Sequence, residues 1–289
     1  MNPNSFRVPT GLPAVVGVLI VAVMTLSACA GQDEWTSDEV RTAQNDPDCG
    51  VWEEYRAIIG DDSEKIRQEG DSTWVWVGGA ESGPNAEWAD FTGAPMEPGE
   101  LQYGLGFDAI PSIDDPVFTR PDNPALLNLI PNSPYRECER PQTNDEIMVI
   151  GYVAENGEAR AYPTGLLDRH ELVNDEAGDE YFTVGWCPLA DLSSVHSREH
   201  EGEPIEFGVS GYVYKNTYFI YDRPTESLWY ALDEEGWTAV SGPRQGDEIP
   251  FIESRAPMPL GQWRQKHPDT AVLAGDASDV QPEQVSSAQ

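Results

Sequence analysis

Short apolar segments separated by turn residues restrict the possible folds of this chain more than any other feature. Residues 147–153 and 159–162 are rich in strand-forming side chains and flank Asn156-Gly157, the strongest short hairpin signal in a sequence. Further strand-like segments follow at 181–186 and 206–221, and 26 Gly and 24 Pro supply many turns. The pattern predicts a mainly β protein, an antiparallel meander that forms a sandwich or an open barrel, with a few short helices.

Outside this meander the chain is less regular. Between residues 51 and 68, apolar side chains recur at near-helical spacing and predict one amphipathic helix. Residues 74–77 predict a strand, whereas 81–102 are expected to form loops. Two short helices are predicted at 166–173 and 260–267, so helices are expected to be minor elements.

The charge balance limits the partners of the chain. Its 289 residues include 51 acidic and 17 basic side chains, a formal net charge of −34, and only Lys65, Lys215 and Lys266 are lysines. A polyanion repels nucleic-acid phosphates, which excludes a nucleic-acid partner. A hydrophobic content of 39% argues against intrinsic disorder. The lysine-poor, acidic composition resembles that of proteins from high salt, where ions screen self-repulsion; an ordinary acidic envelope protein is the alternative.

The first residues have the features of a secretion signal with a lipid-attachment site. Residues 1–28 contain no acid and one base, Arg7, and 12–26 are almost wholly apolar but short for a membrane span. Leu26-Ser27-Ala28-Cys29 resembles a bacterial lipobox, in which the cysteine is acylated and the chain is cut before it. We therefore expect a signal peptide at 1–28 and a lipid on Cys29 that anchors the protein to the membrane, on the extracytoplasmic side of the cell envelope. An uncleaved anchor helix is the alternative.

Two segments connect this signal to the regular domain. Residues 29–48 are polar and acidic and are expected to form a tether, followed by an irregular N-terminal extension at 49–104. Cys49 and Cys138 lie in polar surroundings, and in an oxidising envelope they are the expected disulfide pair. A disulfide from Cys187 to either of them is the alternative.

A set of stretches in the centre of the chain occurs in a recognisable order. They are IPSIDDPVF (110–118), GEARAYP (157–163), HELVND (170–175), CPL (187–189) and SG (210–211) through YDRPTESLW (221–229). As a set they resemble the domain-of-unknown-function 3179 family. The resemblance covers about residues 105–273 and leaves 274–289 as a polar tail that is expected to be mobile. It implies an envelope or secreted location for many relatives and supplies no established reaction.

One motif departs from the family pattern. Relatives typically read C-P-L-C, some with selenocysteine in the motif, which implies redox or soft-metal chemistry. Here the fourth position is Ala190. A dithiol–disulfide cycle within the motif is therefore excluded for this chain.

Cys187, His170 and Glu171 are the candidate catalytic residues. Cys187 follows a predicted strand and precedes Pro188, which favours a turn at a sheet end. A histidine within reach of a thiol supplies a base, so the three residues are compatible with a thiol nucleophile or with ligands for copper or zinc. The alternatives are an inert, buried Cys187 and a His170-Glu171 pair that serves only the fold.

His196 and His200 are a weaker metal candidate. Two histidines at this spacing share one face of a helix, but the flanking residues favour a strand. The two rings are then about 13 Å apart, which is too far to share one ion. They are therefore predicted to be solvated surface histidines.

The hairpin predicted over residues 206–221 is rich in aromatic side chains and is called the aromatic hairpin below. It is the candidate binding surface in a second, non-catalytic interpretation. Most of its rings are expected to pack in the core, but an exposed set would stack on a sugar or another flat ligand. The chain is then a ligand-binding or scaffold module, and the acid and base that follow the second strand form a charge pair that organises the turn. The candidate binding residues are Tyr212, Tyr214, Tyr221, Asp222, Arg223 and Trp229.

Overall fold

Short strands make up most of the chain in the computed structural model. The structure describes residues 65–79, 85–133, 140–188, 190–215, 217–232, 235–253 and 256–286, all within one compact unit. The predicted signal peptide and tether, with Cys29, Cys49 and Cys138, lie outside these residues. Among the described residues, no helix has both the length and the apolar character needed to cross a membrane. The predicted mainly β, antiparallel architecture is confirmed.

The largest element is a nine-stranded antiparallel sheet that curls into a half-barrel. In spatial order its strands are β4 (Gln102–Tyr103), β13 (Phe207–Tyr214), β14 (Thr217–Asp222), β15 (Leu228–Tyr230), β16 (Gly236–Ala239), β17 (Glu248–Glu253), β10 (Leu192–Ser197), β9 (Glu180–Cys187) and β8 (Leu172–Ala177). Strands β13 and β14 are the hairpin predicted over 206–221, and Lys215 takes the left-handed backbone conformation in its turn.

A five-stranded sheet contains the hairpin at Asn156-Gly157. Its order is β18 (Met258–Pro259), β6 (Met148–Val153), β7 (Ala159–Pro163), β19 (Ala271–Asp276) and β5 (Pro116–Thr119). The pairs are antiparallel except for β7 and β19, which run parallel. Gly157 has a φ of 88°, a conformation that favours glycine, so the turn signal in the sequence has a direct physical basis.

Two smaller sheets and short helices complete the described chain. The sheets are β1 (Ile66–Glu69), β2 (Ser72–Gly79) and β3 (Ala86–Asp90), and β11 (Glu199–His200) with β12 (Glu203–Pro204). The helices are α1 (Leu126–Leu129), α2 (Thr164–Leu167), α3 (Leu260–Lys266) and α4 (Pro282–Ser286), with 3-10 turns at Pro98–Glu100 and Asn144–Glu146.

Separate apolar clusters hold these sheets together. Phe207 and Trp237 belong to a cluster inside the half-barrel, which joins β8 and β9 to β13–β17. The outer face of β8–β10 packs against the five-stranded sheet through Trp186 and Tyr162. The outer face of the aromatic hairpin packs against β2 and β3 through residues such as Phe219. The curled sheet is therefore buried on both faces over much of its area.

Asp222 is a fully buried carboxylate at the end of β14, with 0% of its surface exposed. It accepts hydrogen bonds from Trp229 Nε1 at 2.9 Å, from Thr225 N at 2.9 Å and from Thr225 Oγ1 at 2.7 Å. A buried charge is tolerated only when such donors replace its lost water. These bonds fix the turn that leads from β14 into β15.

Local predictions that ignored tertiary pairing are wrong. The described end of the helix predicted over 51–68 is strand β1, because residues 66–69 pair with β2. The helix predicted over 166–173 is the single turn α2, and β8 begins at Leu172 because β9 offers a partner strand. The predicted loop at 81–102 contains β3, which pairs with the other edge of β2.

The C-terminal tail is folded as far as residue 286, which differs from the predicted mobile tail. Strand β19 extends through Ala274 to Asp276 because it pairs with β5. Farther along, the Asn123 amide donates to the Gln284 carbonyl at 3.0 Å, and the Thr119 hydroxyl donates to the Val285 carbonyl at 3.2 Å. Polar composition alone did not reveal these long-range bonds.

Replacing Asp222 tests the role of its buried hydrogen bonds. We expect Asp222→Ala to lower the free energy of unfolding by about 3 kcal/mol, because the buried Trp229 Nε1 then lacks an acceptor. Asp222→Asn keeps one acceptor oxygen and should lose less. Urea unfolding gives the values, and Asp269→Ala, at an exposed aspartate, is the control with a change below about 0.5 kcal/mol. Equal stabilities for Asp222→Ala and Asp269→Ala would contradict this role.

Candidate functional site

The register between β8 and β9 fixes the positions of Glu171 and Cys187. Leu172 pairs with Gly185, and Trp186 N donates to the Glu171 carbonyl at 2.8 Å. Because side chains alternate along a strand, Trp186 packs on the outer side whereas Cys187 belongs to the cluster inside the half-barrel. The pairing thus brings two sequence-distant candidate residues to the same end of the half-barrel.

Glu171 has an unusual backbone conformation at the start of β8. Its N–H donates to the Leu167 carbonyl at 2.7 Å, which closes the turn after α2, and its φ is 57°. A residue in this position after a helix is usually glycine, because a Cβ atom makes the left-handed conformation unfavourable by roughly 1–2 kcal/mol. The chain therefore carries backbone strain at a residue with a chemically active side chain.

The Glu171 carboxyl group is buried and lacks a hydrogen-bond partner within the described part of the chain. The residue is only 7% exposed. Burial raises the pKa of Glu171 from 4.5 to about 8, and the neighbouring Asp168 carboxylate raises it further in the same direction. At pH 7 the group is therefore a neutral carboxylic acid, which both donates and accepts hydrogen bonds.

Tyr218, on strand β14, belongs to the same cluster as Cys187. A Cβ atom on Gly185 would overlap the Tyr218 hydroxyl oxygen, so the glycine provides the space that this hydroxyl occupies. Burial raises the pKa of Tyr218 well above its ordinary value, and the adjacent Cys187 and Glu171 act in the same direction. The group stays a neutral phenol, and its hydroxyl makes no hydrogen bond to the other described residues.

Cys187 ends strand β9 and begins a tight turn. Its side chain is 1% exposed, and Ala190 N donates to the Cys187 carbonyl at 3.2 Å. Ala190 packs against the same apolar cluster as Cys187. Cys187 therefore lies in a largely apolar cluster that also contains Tyr218.

Asp168 connects this site to the outer face of the sheet. Its Oδ1 accepts a hydrogen bond from Trp186 Nε1 at 2.7 Å, and both side chains are buried. The bond fixes the end of α2 against β9. Asp168 and Glu171 thus lie near each other in different surroundings, because Asp168 accepts this hydrogen bond and raises the pKa of Glu171.

His170 makes a different contact. Its Nδ1–H donates to the Pro111 carbonyl at 2.9 Å, and the ring is half-buried. This bond fixes the tautomer and leaves Nε2 as the basic nitrogen. Of the three candidate catalytic residues, Glu171 and Cys187 both contribute to the raised pKa of Tyr218, whereas His170 is bonded to the segment before β5.

The candidate aromatic binding surface is part of the core. The Tyr212 hydroxyl donates to the Trp76 carbonyl at 2.7 Å, and the Tyr221 hydroxyl donates to Asp108 Oδ2 at 2.6 Å. Tyr214 and Trp229 are also buried. These rings are packing residues, as expected for most of the hairpin, and they do not form the exposed platform of the alternative, because β2 and β3 cover one face of the hairpin and the half-barrel encloses the other.

The predicted charge pair of Asp222 and Arg223 has different partners. Asp222 is held by Trp229 and Thr225, as described above. The Arg223 guanidinium donates to Asp114 Oδ2 and to Ser112 Oγ, each at 2.9 Å. Successive residues of a strand point to opposite faces, which explains why these two neighbours do not share a partner.

The prediction of two surface histidines is wrong for His196. It is fully buried on β10, and Trp237 Nε1 donates to its Nδ1 at 3.2 Å. Burial lowers the pKa of His196 to about 3, so the ring is neutral at physiological pH. His200 lies on β11, where its Nε2 is 3.0 Å from Asp247 Oδ2. Both histidines are thus committed to contacts within the fold.

A metal ion has no ready-made set of ligands in the described part of the chain. There, no three His, Cys, Asp or Glu side chains are positioned to hold one ion. Zinc in proteins takes three or four such ligands. The expected copper or zinc therefore has no complete ligand set around Cys187 among these residues, and no step below depends on a metal.

The comparisons with known proteins give the family of the chain. A family model described as "Protein of unknown function (DUF3179)" matches residues 107–283, more than half of the sequence. The chain belongs to the DUF3179 family. Curated proteins and solved structures gave no match. The DUF3179 match begins before β5 and ends within α4, so it includes the folded part of the tail.

Three of the DUF3179 motif stretches meet in a structural network. The Asn174 amide donates to Asp114 Oδ1 at 2.6 Å and to the Phe207 carbonyl at 2.8 Å. Arg223 binds the other oxygen of Asp114. These motif residues connect β8, β13, β14 and the segment before β5, so they stabilise the frame around the buried site.

Sequence reasoning missed Asp168 and Tyr218 as members of the site. Asp168 was hidden in an overpredicted helix, and Tyr218 was grouped with packing residues. A signal for Tyr218 does exist, because Gly185 interrupts an otherwise bulky strand, and an isolated glycine in a strand often marks a close approach by another group. The sequence does not say which group approaches.

The buried acid makes stability depend on pH. Between pH 4.5 and about 8 the folded protein holds the Glu171 proton that the unfolded chain has lost, so the Glu171 contribution destabilises the fold as pH rises through this window. Relative to Glu171→Gln, the wild type should lose up to about 1.4 kcal/mol per pH unit and level off above pH 9. Urea unfolding at pH 5–9 measures the difference.

The control for this prediction is Glu199→Gln, because Glu199 is exposed on β11. Its stability difference from the wild type should vary little over the same range. A pH-independent difference between the wild type and Glu171→Gln would mean that the Glu171 carboxyl is solvated in the folded protein.

Proposed function

We propose that this chain is a lipid-anchored protein of the cell envelope whose DUF3179 domain carries out thiol redox chemistry at Cys187, with Glu171 as the acid–base partner of the sulfur. One observation carries the chemical part. Cys187 and Glu171 are both buried near one end of the β8–β9 pair, and both contribute to raising the pKa of the buried Tyr218 hydroxyl. Buried acids with a strongly raised pKa are common at functional sites, which supports a role for Glu171 beside the thiol.

The thiol acts without a second cysteine in its motif. Ala190 stands three residues after Cys187, where it closes the turn with its backbone N–H. Oxidation at Cys187 therefore ends in a sulfenic acid or in a mixed disulfide with another thiol. An external thiol is then needed to return the cysteine to its reduced form.

Redox chemistry is preferred to the two other functions considered for this site. Soft-metal binding needs ligands in addition to Cys187, and the described residues do not gather them there. A flat-ligand binding module needs exposed rings, whereas those of the aromatic hairpin are buried. The thiol–acid cluster does not require either feature.

The location rests on the N-terminal sequence. An apolar run followed by Leu26-Ser27-Ala28-Cys29 supports secretion and acylation at Cys29. More than one acyl chain on that cysteine gives stable membrane attachment. The polar segment at 29–48 then separates the acidic domain from the lipid surface, and the lipid is the membrane contact.

Metabolic labelling tests the lipid anchor. The full chain should incorporate an alkyne-labelled fatty acid when expressed in a bacterium that processes lipoproteins, and it should fractionate with membranes. Cys29→Ala should lose the label and the cleavage before residue 29, because it lacks the acceptor thiol. Cys49→Ala is the control and should keep both. Label on Cys29→Ala would contradict acylation at Cys29.

A small thiol reagent tests the chemistry at Cys187. Methyl methanethiosulfonate should convert Cys187 of the folded full chain to its S-methyl disulfide, more slowly than it modifies glutathione, because the sulfur is 1% exposed. Peptide mass spectrometry locates the modification, and Cys187→Ala should lack it at this peptide. Cys187 that stays unmodified until denaturant is added would disprove the proposed chemistry.

A further inference from the structure

We propose that a groove on the outer face of β16 and β17 binds a linear organic diamine, with one ammonium group at each end of the groove and the methylene chain along its floor. The inference does not depend on the thiol function proposed above. It follows from where the curled sheet is left uncovered, from the side chains that the strand register places along the groove, and from their charge.

The groove lies where the curled sheet has an accessible outer face. One apolar cluster covers the outer face of β8–β10 and another covers that of β13–β15, and neither includes a described residue of β16 or β17. These two strands lie between the covered parts of the sheet. The groove has a volume of about 280 Å³, and its lining comes from β16, β17 and the residue before β16. This volume is close to the lower end of the range for small-molecule sites.

The register of β16 with β17 sets the order of the side chains along the groove. Thr238 pairs with Glu248. Two residues farther along, Gly236 pairs with Pro250. Directly paired residues point to the same face of a sheet, and the intervening pair points into the half-barrel. The outer face therefore presents an acid beside a hydroxyl, followed by an apolar step.

One end of the groove is suited to an ammonium group. Glu248 is exposed, and Thr238 lies beside it, because the Cβ atoms of a directly opposed pair are about 5 Å apart. A carboxylate and a hydroxyl both accept hydrogen bonds, and an ammonium group is a donor only. Hydrogen bonds from a cation to a carboxylate are among the stronger ones in proteins. This end therefore offers a cation both charge and hydrogen-bond acceptors.

Glu235 provides a second carboxylate at the opposite end. It immediately precedes β16, lines the groove and is exposed. Phe251 N donates to the Glu235 carbonyl at 3.0 Å, which places Glu235 three residues beyond Glu248 in the ladder. The backbones of the two glutamates are therefore about 11 Å apart, from the rise per residue and the spacing of neighbouring strands.

The floor between the two acids is apolar and open. Gly236 has no side chain, and the Pro250 ring beside it is exposed. Ile252 extends the apolar surface along β17, with 43% of its surface exposed. A methylene chain that lies on this floor removes apolar area from water, which favours its binding. A hydrated metal ion gains nothing from such a surface.

The charge and the spacing of the two acids select a diamine. The lining residues that the structure describes include two glutamates and no lysine, arginine or histidine. The net charge of −34 attracts cations of every kind to the chain. A single metal ion reaches only one of the two acids, and the described residues provide no group of three ligands for it. A linear diamine reaches both acids at once.

Calorimetric titration of the full chain with hexamethylenediamine tests the site. The titration is made at about 0.15 M salt, where a Debye length of about 8 Å screens distant charges. Glu235→Gln and Glu248→Gln should each raise the Kd about fivefold, because each variant loses one exposed ion pair. Glu199→Gln is the matched control. It removes the same charge from an exposed position on β11 and should leave the Kd unchanged.

The wild type alone gives a second readout, which does not depend on the folding of a variant. Hexamethylenediamine should bind at least about fivefold more tightly than hexylamine, which has the same chain but a single ammonium group. Ethylenediamine carries both charges on a chain too short for the groove, so it should bind no more tightly than hexylamine. Magnesium chloride should also bind more weakly than hexamethylenediamine, because the ion has no apolar chain.

Any of the following results would overturn the proposal. An equal Kd for the wild type and both glutamine variants would mean that the diamine binds diffusely to the acidic surface. Equal binding of hexamethylenediamine and hexylamine would leave no role for the second acid. Magnesium binding that matches the diamine and is weakened by both variants would make the groove a metal site. No binding at millimolar hexamethylenediamine would exclude the proposed ligand.

Discussion

The main-chain pairing of β8 with β9 is the constraint on which the site depends. Its register sets Glu171 against Trp186 and directs Cys187 into the half-barrel. A shift by one residue would send Cys187 to the outer face, where Trp186 now packs. The apolar alternation of β9 makes such a shift unfavourable, so packing on the outer face keeps Cys187 on the inner face.

Glu171 stands out because its neighbours in β8 are well satisfied. The Asn174 side chain takes part in hydrogen bonds with Asp114, Thr183 and the Phe207 backbone. Asp175 accepts bonds from Arg160 and from the Tyr162 hydroxyl. The same strand therefore meets the demands of its buried amide and carboxylate through long-range partners. That contrast supports the role proposed for Glu171, whose buried carboxyl has no such long-range partner among the described residues.

The sequence predicts elements whose signals are local. The hairpin at Asn156-Gly157 and the strand that ends at Cys187 follow from turn chemistry and side-chain pattern. Partners that are distant in sequence were not predictable in this way. Strand β1 forms at residues with helical spacing because β2 is beside it, and His196 is buried because Trp237 and Phe251 close over it.

The residues of the candidate site also fall into two groups, those that the sequence identified and those that only the structure revealed. Cys187 and Glu171 were identified from their motifs, because a thiol or an acid can be recognised as a reactive group from its residue type. Tyr218 and Asp168 entered only when strands and turns were assembled, because their roles come from position and not from residue type. His170, which the motif joins to Glu171, turns out to bond elsewhere. Adjacent residues at the entry to a strand point in different directions, so a motif does not identify which of its members share a site.

The left-handed backbone at Glu171 costs stability at the same position where the chain keeps a buried carboxyl group. Glycine there would relax the turn, and asparagine is also tolerated in this conformation, while either would remove a buried acid. Laboratory selection for heat resistance alone should therefore enrich such replacements at 171, whereas selection for the proposed thiol chemistry should reject them. The two kinds of selection would favour different residues at position 171.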